Sequence, residues 1–364
     1  FCEAIKDSTI SIALEFIINK FFTFCMGFLY IGFAISFIIL LITNIVFVLI
    51  NIYLWAIGDH AIVTSGTNLI EILYYAPYFK WIVLSDAIWL GLGFLFALTR
   101  KRYKTDQYFY LESKKISNPI ITVIIPTYNE ENNVEKVIKN FQLEKNVKHI
   151  LVIDNNSTDK TVEIAKQCGA IVITKEINKG FGDSCIVGLN EALKTDANII
   201  ALTECDGTYS ASDLQKMIPY LDNCEVVLGT RLIQVLVEKE NQNGMFNTWG
   251  NYFIAKLIQL KYFSLLHMGV VSLTDVGCTF RCIRRDGLEK MIGQLTNDYD
   301  KKIDKNGWLI IPYLNMIAIQ KDLKIVEVPI TFKKRTGGIS KSGAERKSKG
   351  LLYGLRFIWF VLKA

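Results

Sequence analysis

The chain has no CxxC pair and only three histidines, His60, His149 and His267. Its eight cysteines follow no zinc-ligand spacing, which excludes a structural zinc module and a histidine metal cage and leaves reduced thiols as the expected state. A GxxxxGK(S/T) loop is missing, as is a GxSxG elbow, so P-loop nucleotidases and elbow-type hydrolases are set aside. There is no internal repeat, no low-complexity tract and no evident cleavable signal peptide; because the chain opens on Phe1, residues are expected before it. The longest absence is of charge. Between Lys20 and Asp59 no Asp, Glu, Lys or Arg occurs, a run far longer than the roughly 20 residues that cross a bilayer as a helix.

That run predicts a first membrane span over about residues 26–50. A second apolar run, Trp81 to Thr99, is interrupted only by Asp86 near its start, where a headgroup can receive it, and predicts a span over 81–99. Arg100, Lys101, Arg102 and Lys104 follow at once, whereas the loop from Asp59 to Lys80 carries Asp59 and Glu71 against one lysine. By the positive-inside rule everything after residue 100 is expected on the cytoplasmic side of an integral membrane protein. The segment before Lys20 reads either as an interfacial amphipathic helix or as the start of an over-long tilted span. The net charge of +6 gathers after the second span and in the run Lys333 to Lys349. Such clusters suit an anionic membrane surface or a phosphate and do not resemble a nucleic-acid module.

From Asn118 the pattern changes, after a polar linker over 106–118. Short apolar runs at Ile120–Ile125, His149–Ile153, Ala170–Thr174, Asn198–Thr203 and Glu225–Leu228 alternate with helical patterns at Glu131–Gln142, Thr161–Cys168, Asp183–Lys194 and Ala211–Leu221, the last opened by Ser210 or Ser212 as a cap. This alternation predicts an α/β fold with a mostly parallel, covered sheet. A helix over Asn247–Met268 and strands near Cys278–Ile283 and Lys324–Phe332 follow. The terminal stretch, residues 346–364, is apolar but too short to span and is expected to lie as an interfacial helix beside the spans.

Three of the strands end in polar clusters: Pro126-Thr127-Tyr128-Asn129-Glu130, Asp154-Asn155-Asn156-Ser157-Thr158-Asp159 and Glu204-Cys205-Asp206. Open α/β sheets bind ligands at the carboxyl ends of their strands, so all three are expected at one crevice. A buried strand that ends in two closely spaced carboxylates suits a divalent cation and the phosphate it holds, which points to nucleotide-linked chemistry.

These motifs, together with Asn178-Lys179-Gly180, Gly229-Thr230-Arg231, TDVGCTFRCIRRD at 274–286 and VPITFKKRTGGISK at 328–341, resemble in order those of a family-2 glycosyltransferase over about residues 119–345. Within that family the pattern is most similar to enzymes that charge polyprenyl phosphates with one sugar, of the dolichyl-phosphate mannose synthase type. The resemblance implies a GT-A, Rossmann-like domain, a GDP- or UDP-linked sugar donor, a polyprenyl or dolichyl phosphate acceptor and Mg2+ or Mn2+. It implies that Pro126, Tyr128, Glu130, Asp154 and Lys179 serve the nucleotide, and that Glu204 and Asp206 stand in place of the family's Asp-x-Asp pair, Glu being a departure from the commoner spelling. Asp206 would ligate the metal, with Glu204 acting through water or on the ribose. Asp275 would approach the acceptor, as a general base if that acceptor is a hydroxyl and as an orienting group if it is an ionised phosphate. Arg231, Arg281, Arg335, Ser340 and Lys341 would surround phosphate groups, since guanidinium forks bind phosphate bidentately. Gly337-Gly338 allows a mobile lid there. The QxxRW signature of processive synthases is absent, which favours single transfer. Two other readings stay open: transfer to a lipid or glycan hydroxyl, and a nucleotide-sugar-binding protein without turnover.

Overall fold

The computed structural model describes residues 114–233, 236–238, 244–262, 272–302, 307–336 and 347–363, with Ile42, Ala87 and Gly91. Apart from those three residues, both predicted spans lie outside the described residues, as do the segment before Lys20, the linker before Lys114, Gly337-Gly338, Ser340 and Lys341. The chain divides into two compact units, Phe1–Lys101 and Arg102–Ala364. Among the described residues no helix is long and apolar enough to cross a membrane.

The second unit is built on a seven-stranded sheet: β1 Ile121–Thr127, β2 Val147–Asp154, β3 Ile171–Thr174, β4 Ile199–Leu202, β5 Val226–Thr230, β6 Arg281–Arg284 and β7 Ile325–Pro329, in the order β3-β2-β1-β4-β6-β5-β7. All neighbours pair in parallel except β6, which runs antiparallel between β4 and β5. The expected α/β class and mostly parallel sheet are therefore present. The carboxyl ends of the six other strands share one edge.

Helices cover both faces, which is why β1 and β4 are buried along their whole length and read as continuous apolar runs. Ile121, Val123 and Ile125 point into a core formed with α1 Val134–Gln142, through Val134, Val137, Ile138 and Phe141. On the other face Thr122 bonds the hydroxyl of Thr195, just beyond α3 Phe181–Ala192, at 2.9 Å. Helix α2 is Thr161–Gln167. The expected helix over Ala211–Leu221 is broken: α4, Leu214–Met217, is flanked by the 3-10 turns Ala211–Asp213 and Ile218–Asp222, with Pro219 near the start of the second. Neither serine caps it. Ser210 and Ser212 bond each other at 3.0 Å instead.

Helix α5 spans Met245–Lys261, ending before the expected boundary; residues 263–268 lie outside the described set. Two helices that the apolar patterning did not reveal follow, α6 Arg285–Lys302 and α7 Ile310–Gln320; α7 is buried from Ile310 to Ile319 and so has no polar face to mark its period. The terminal helix, α8 Lys347–Lys363, packs its Phe360 edge-on against Tyr313 of α7. Lys261, at the end of α5, donates to the carbonyls of Val361 (2.5 Å) and Leu362 (3.1 Å), so a buried cation satisfies the negative end of α8.

Candidate active site

The loops after β1 and β2 are tied to one another by side chains reaching backbone groups. Asn129, at φ 52°, accepts from the Thr158 amide through Oδ1, while its own amide donates to Ser157 Oγ; the Glu130 amide donates to Thr161 Oγ1 and the Glu131 amide to Asp159. Pro126 is buried in β1 opposite Ile153, and Tyr128 and Glu130 follow on the rim. Asp154 is fully buried. Its Oδ2 accepts the Ser157 amide at 3.1 Å, whereas its Oδ1 has no partner among the described residues. A buried carboxylate oxygen left bare costs free energy unless something binds it, and an N–H or hydroxyl of a nucleoside is of the right kind. Asn155 fastens the next loop, accepting the Lys179 amide and donating to Asn178; the Lys179 side chain stands exposed.

After β4 comes the acidic pair. Asp206 is 5% exposed and its Oδ1 accepts the Thr208 amide (3.1 Å) and hydroxyl (2.6 Å), which turns Oδ2 outward to within 3.5 Å of Arg335 Nη2. Gly207 takes φ +74°, and a side-chain carbon there would meet the Thr336 hydroxyl at 2.7 Å. That hydroxyl donates to Asn133 Oδ1 at 2.9 Å and the Thr336 amide donates to the Asp206 carbonyl, so the basic segment after β7 lies directly on the acidic pair. Glu204 accepts the Thr279 hydroxyl at 2.5 Å. Burial, then the neighbouring Asp206 carboxylate, push its carboxyl up to about 7, which Thr279, Arg335 and Arg231 only partly oppose.

Asp275 and Arg231 come together across 44 residues. Arg231 Nε donates to Asp275 Oδ2 at 2.7 Å and Nη2 to Oδ1 at 2.8 Å, with the Arg231 amide on Oδ2 at 3.1 Å; Asp275 is 1% exposed and Arg231 9%. The guanidinium also lies 4.9 Å from the centre of the Phe332 ring. Arg231, read as a phosphate ligand, is thus first the partner of a carboxylate. Arg281 departs further from expectation. Its three nitrogens donate to the Thr279 and Cys278 carbonyls and to Asn315 Oδ1, and it is 1% exposed, so the fold holds it inside the protein beneath the crevice rather than around a ligand phosphate. Burial lowers it to about 10. It sits at the start of β6, whose direction no spacing rule disclosed.

Residues that sequence reading missed include Asn133, Thr279, Thr336 and Glu327. The last had a signal: it is the one charged residue of the strand Ile325–Pro329. Among the described residues there is no cluster of three or more His, Cys, Asp or Glu side chains that could hold a metal ion.

The family model for glycosyl transferase family 2 matches residues 122–292. An uncharacterized protein of Methanocaldococcus jannaschii is 30% identical over 219 residues, 59% of this chain and 82% of the relative. The polyprenol monophosphomannose synthase of Mycolicibacterium smegmatis is 26% identical over 226 residues, 60% of this chain and 79% of the relative. The UDP-N-acetylglucosamine–dolichyl-phosphate N-acetylglucosaminyltransferase of Methanococcus voltae is 31% identical over 136 residues, 32% of this chain and 54% of the relative. The matched segment holds the three strand-end clusters and both members of the Arg231–Asp275 pair, and with these relatives it makes the chain a member of glycosyl transferase family 2.

Proposed function

We propose that this protein moves one sugar from a GDP- or UDP-linked donor to a polyprenyl or dolichyl phosphate, with inversion at the anomeric carbon, while anchored in a membrane with its catalytic domain on the cytoplasmic side. The observation that carries this reading is the convergence of Asp154, Glu204, Asp206 and Arg335 at the carboxyl edge of one sheet. Asp154 Oδ1 would accept from the base or ribose, aided by Pro126, Tyr128, Glu130 and Lys179. Glu204 and Asp206 fit a hard divalent cation, Mg2+ or Mn2+: both are oxygen donors, and their mutual repulsion is what such a cation relieves. Asp206 would hold it directly and Glu204 directly or through water. When bound, the cation neutralises charge that builds on the leaving nucleoside diphosphate. Arg335, 3.5 Å from Asp206, adds a second positive charge beside it.

An acceptor phosphate is already ionised. Its oxygen attacks the anomeric carbon, the bond to the diphosphate oxygen breaks, and the electron pair leaves on the nucleoside diphosphate. No proton need be taken, which suits an Asp275 whose two oxygens are both engaged by Arg231: the pair orients the acceptor rather than acting as a base. The lipid side of the reading is supported by what two relatives are named for and by α5 and α8, which besides the buried Lys261 together carry five Lys and Arg and no Asp or Glu. Each also presents a tryptophan, Trp249 at 74% and Trp359 at 67% exposure, in keeping with a membrane interface.

The test is transfer of radiolabel from a panel of GDP- and UDP-sugars to dolichyl phosphate by detergent-solubilised protein with Mg2+ or Mn2+, using Asp206→Ala as control. Acid-labile label in the organic phase that disappears in the variant supports the reading. Acid-stable product would reassign the acceptor to a hydroxyl.

A further inference from the structure

The Arg231–Asp275 pair does not hold itself in place. Arg231 follows β5 directly and Asp275 lies in the stretch before β6, and both segments are suspended from one side chain, Glu327 of β7. The Thr274 amide donates to Glu327 Oε1 (2.8 Å) and Oε2 (2.9 Å), the Thr274 hydroxyl to Oε2 (2.5 Å) and the Asp275 amide to Oε1 (3.1 Å). Because the Thr274 hydroxyl spends its proton on Glu327, it accepts from Thr230 Oγ1 at 2.9 Å, and Thr230 in turn accepts the Leu232 amide at 3.2 Å. The chain of bonds runs from the backbone after Arg231, through two threonine hydroxyls, to the carboxylate that also carries the backbone of Asp275.

Such a carboxylate is costly where it stands. Its strand is otherwise apolar, and burial and the nearby Asp275 both disfavour its charged form. An apolar residue in β7 would pack against the same neighbours without that cost, so the group is explained by what it holds. We propose that Glu327 is a positioning residue for sugar transfer, setting the place of both members of the Arg231–Asp275 pair; this rests on the proposed function, in which the pair faces the acceptor.

Substitution discriminates sharply, because both carboxylate oxygens receive N–H groups. Glu327→Gln keeps the volume but presents an amide N–H₂ to at least one of those donors, whereas Glu327→Ala opens a gap that a small carboxylate can enter. Hydrogen exchange is measured first on the full chain in detergent. The amides of Thr274, Asp275 and Leu232 are expected to exchange about tenfold faster in Glu327→Gln, with β1 and β2 unchanged. Unchanged exchange at these three amides overturns the proposal, whatever the protein's activity. In the transfer assay, kcat is expected to fall about 100-fold, with the donor KM within about twofold, since a displacement near 1 Å at the reacting groups costs about that much. Added formate should restore part of the rate to Glu327→Ala and none to Glu327→Gln. Loss of kcat and donor affinity together, without rescue by formate, assigns Glu327 to general stability and likewise overturns the proposal. Wild-type protein that transfers nothing refutes the functional reading, and the exchange result still decides whether Glu327 positions the pair.

Discussion

The buried ion pair offers the sharpest quantitative test of the geometry. At an effective dielectric near 20, opposite unit charges about 3 Å apart attract by roughly 5 kcal/mol, while withdrawing each ion from water costs several kcal/mol. The two nearly cancel. For Arg231 and Asp275, with contacts of 2.7 and 2.8 Å and almost no exposure, the pair should therefore add little net stability although each partner depends on the other. Asp275→Leu strands a buried guanidinium and is expected to cost about 3–5 kcal/mol, and Arg231→Met, which strands the carboxylate, a similar amount. The double variant Arg231→Met/Asp275→Leu removes both charges and fills the space, and should lie within about 2 kcal/mol of wild type while transferring no sugar. The two single costs sum to well above the double, so the coupling is several kcal/mol. The assay is guanidinium unfolding of the detergent-solubilised protein followed by tryptophan fluorescence, with the unfolding slope compared among all four proteins. A coupling below about 1 kcal/mol, the range of exposed pairs, would refute the argument that water is excluded from this site.

Three further outcomes are expected from the same geometry. Glu204, raised from 4.5 to about 7, is held neutral in the folded state relative to the unfolded one; this favours folding below pH 4.5 and is lost as pH rises through about 7, so Glu204→Gln should gain up to about 3 kcal/mol on the metal-free wild type between pH 4.5 and 8, and urea titrations that give equal differences at both pH values would count against it. Gly307 sits at φ +73° with a would-be side-chain carbon 2.2 Å from the Gly182 amide nitrogen, so Gly307→Ala should lower the melting temperature by several degrees; a shift under one degree means that the loop gives way freely. Mn2+ should raise the melting temperature of wild type in the presence of a nucleoside diphosphate and leave Asp206→Asn unmoved; equal shifts would place the metal elsewhere.

The α/β class, the approximate place of all seven strands and the three polar strand ends were legible because a covered strand has to be apolar along its length and changes character where it meets the crevice. The Glu204-x-Asp206 spacing places both carboxylates at one strand end by local geometry alone, so no tertiary information was needed to nominate it. The helix α7 escaped notice for the opposite reason, since a helix apolar all round has no period to read. Arg281 was nominated by its place in a motif, yet its surroundings come from β6 running antiparallel and from Asn315 of α7, 34 residues later. Nothing in the chain near Arg231 announces Asp275, or near Asp275 announces Glu327; these meet because β5, β6 and β7 are neighbours in the sheet, an order that differs from their order in sequence. The sequence by itself determined the strands, their polar ends and hence the edge where chemistry sits. Which charges at that edge are free for a ligand and which are consumed by one another was decided only by the tertiary structure, because pairing depends on distance in space, which strand order sets and residue spacing does not.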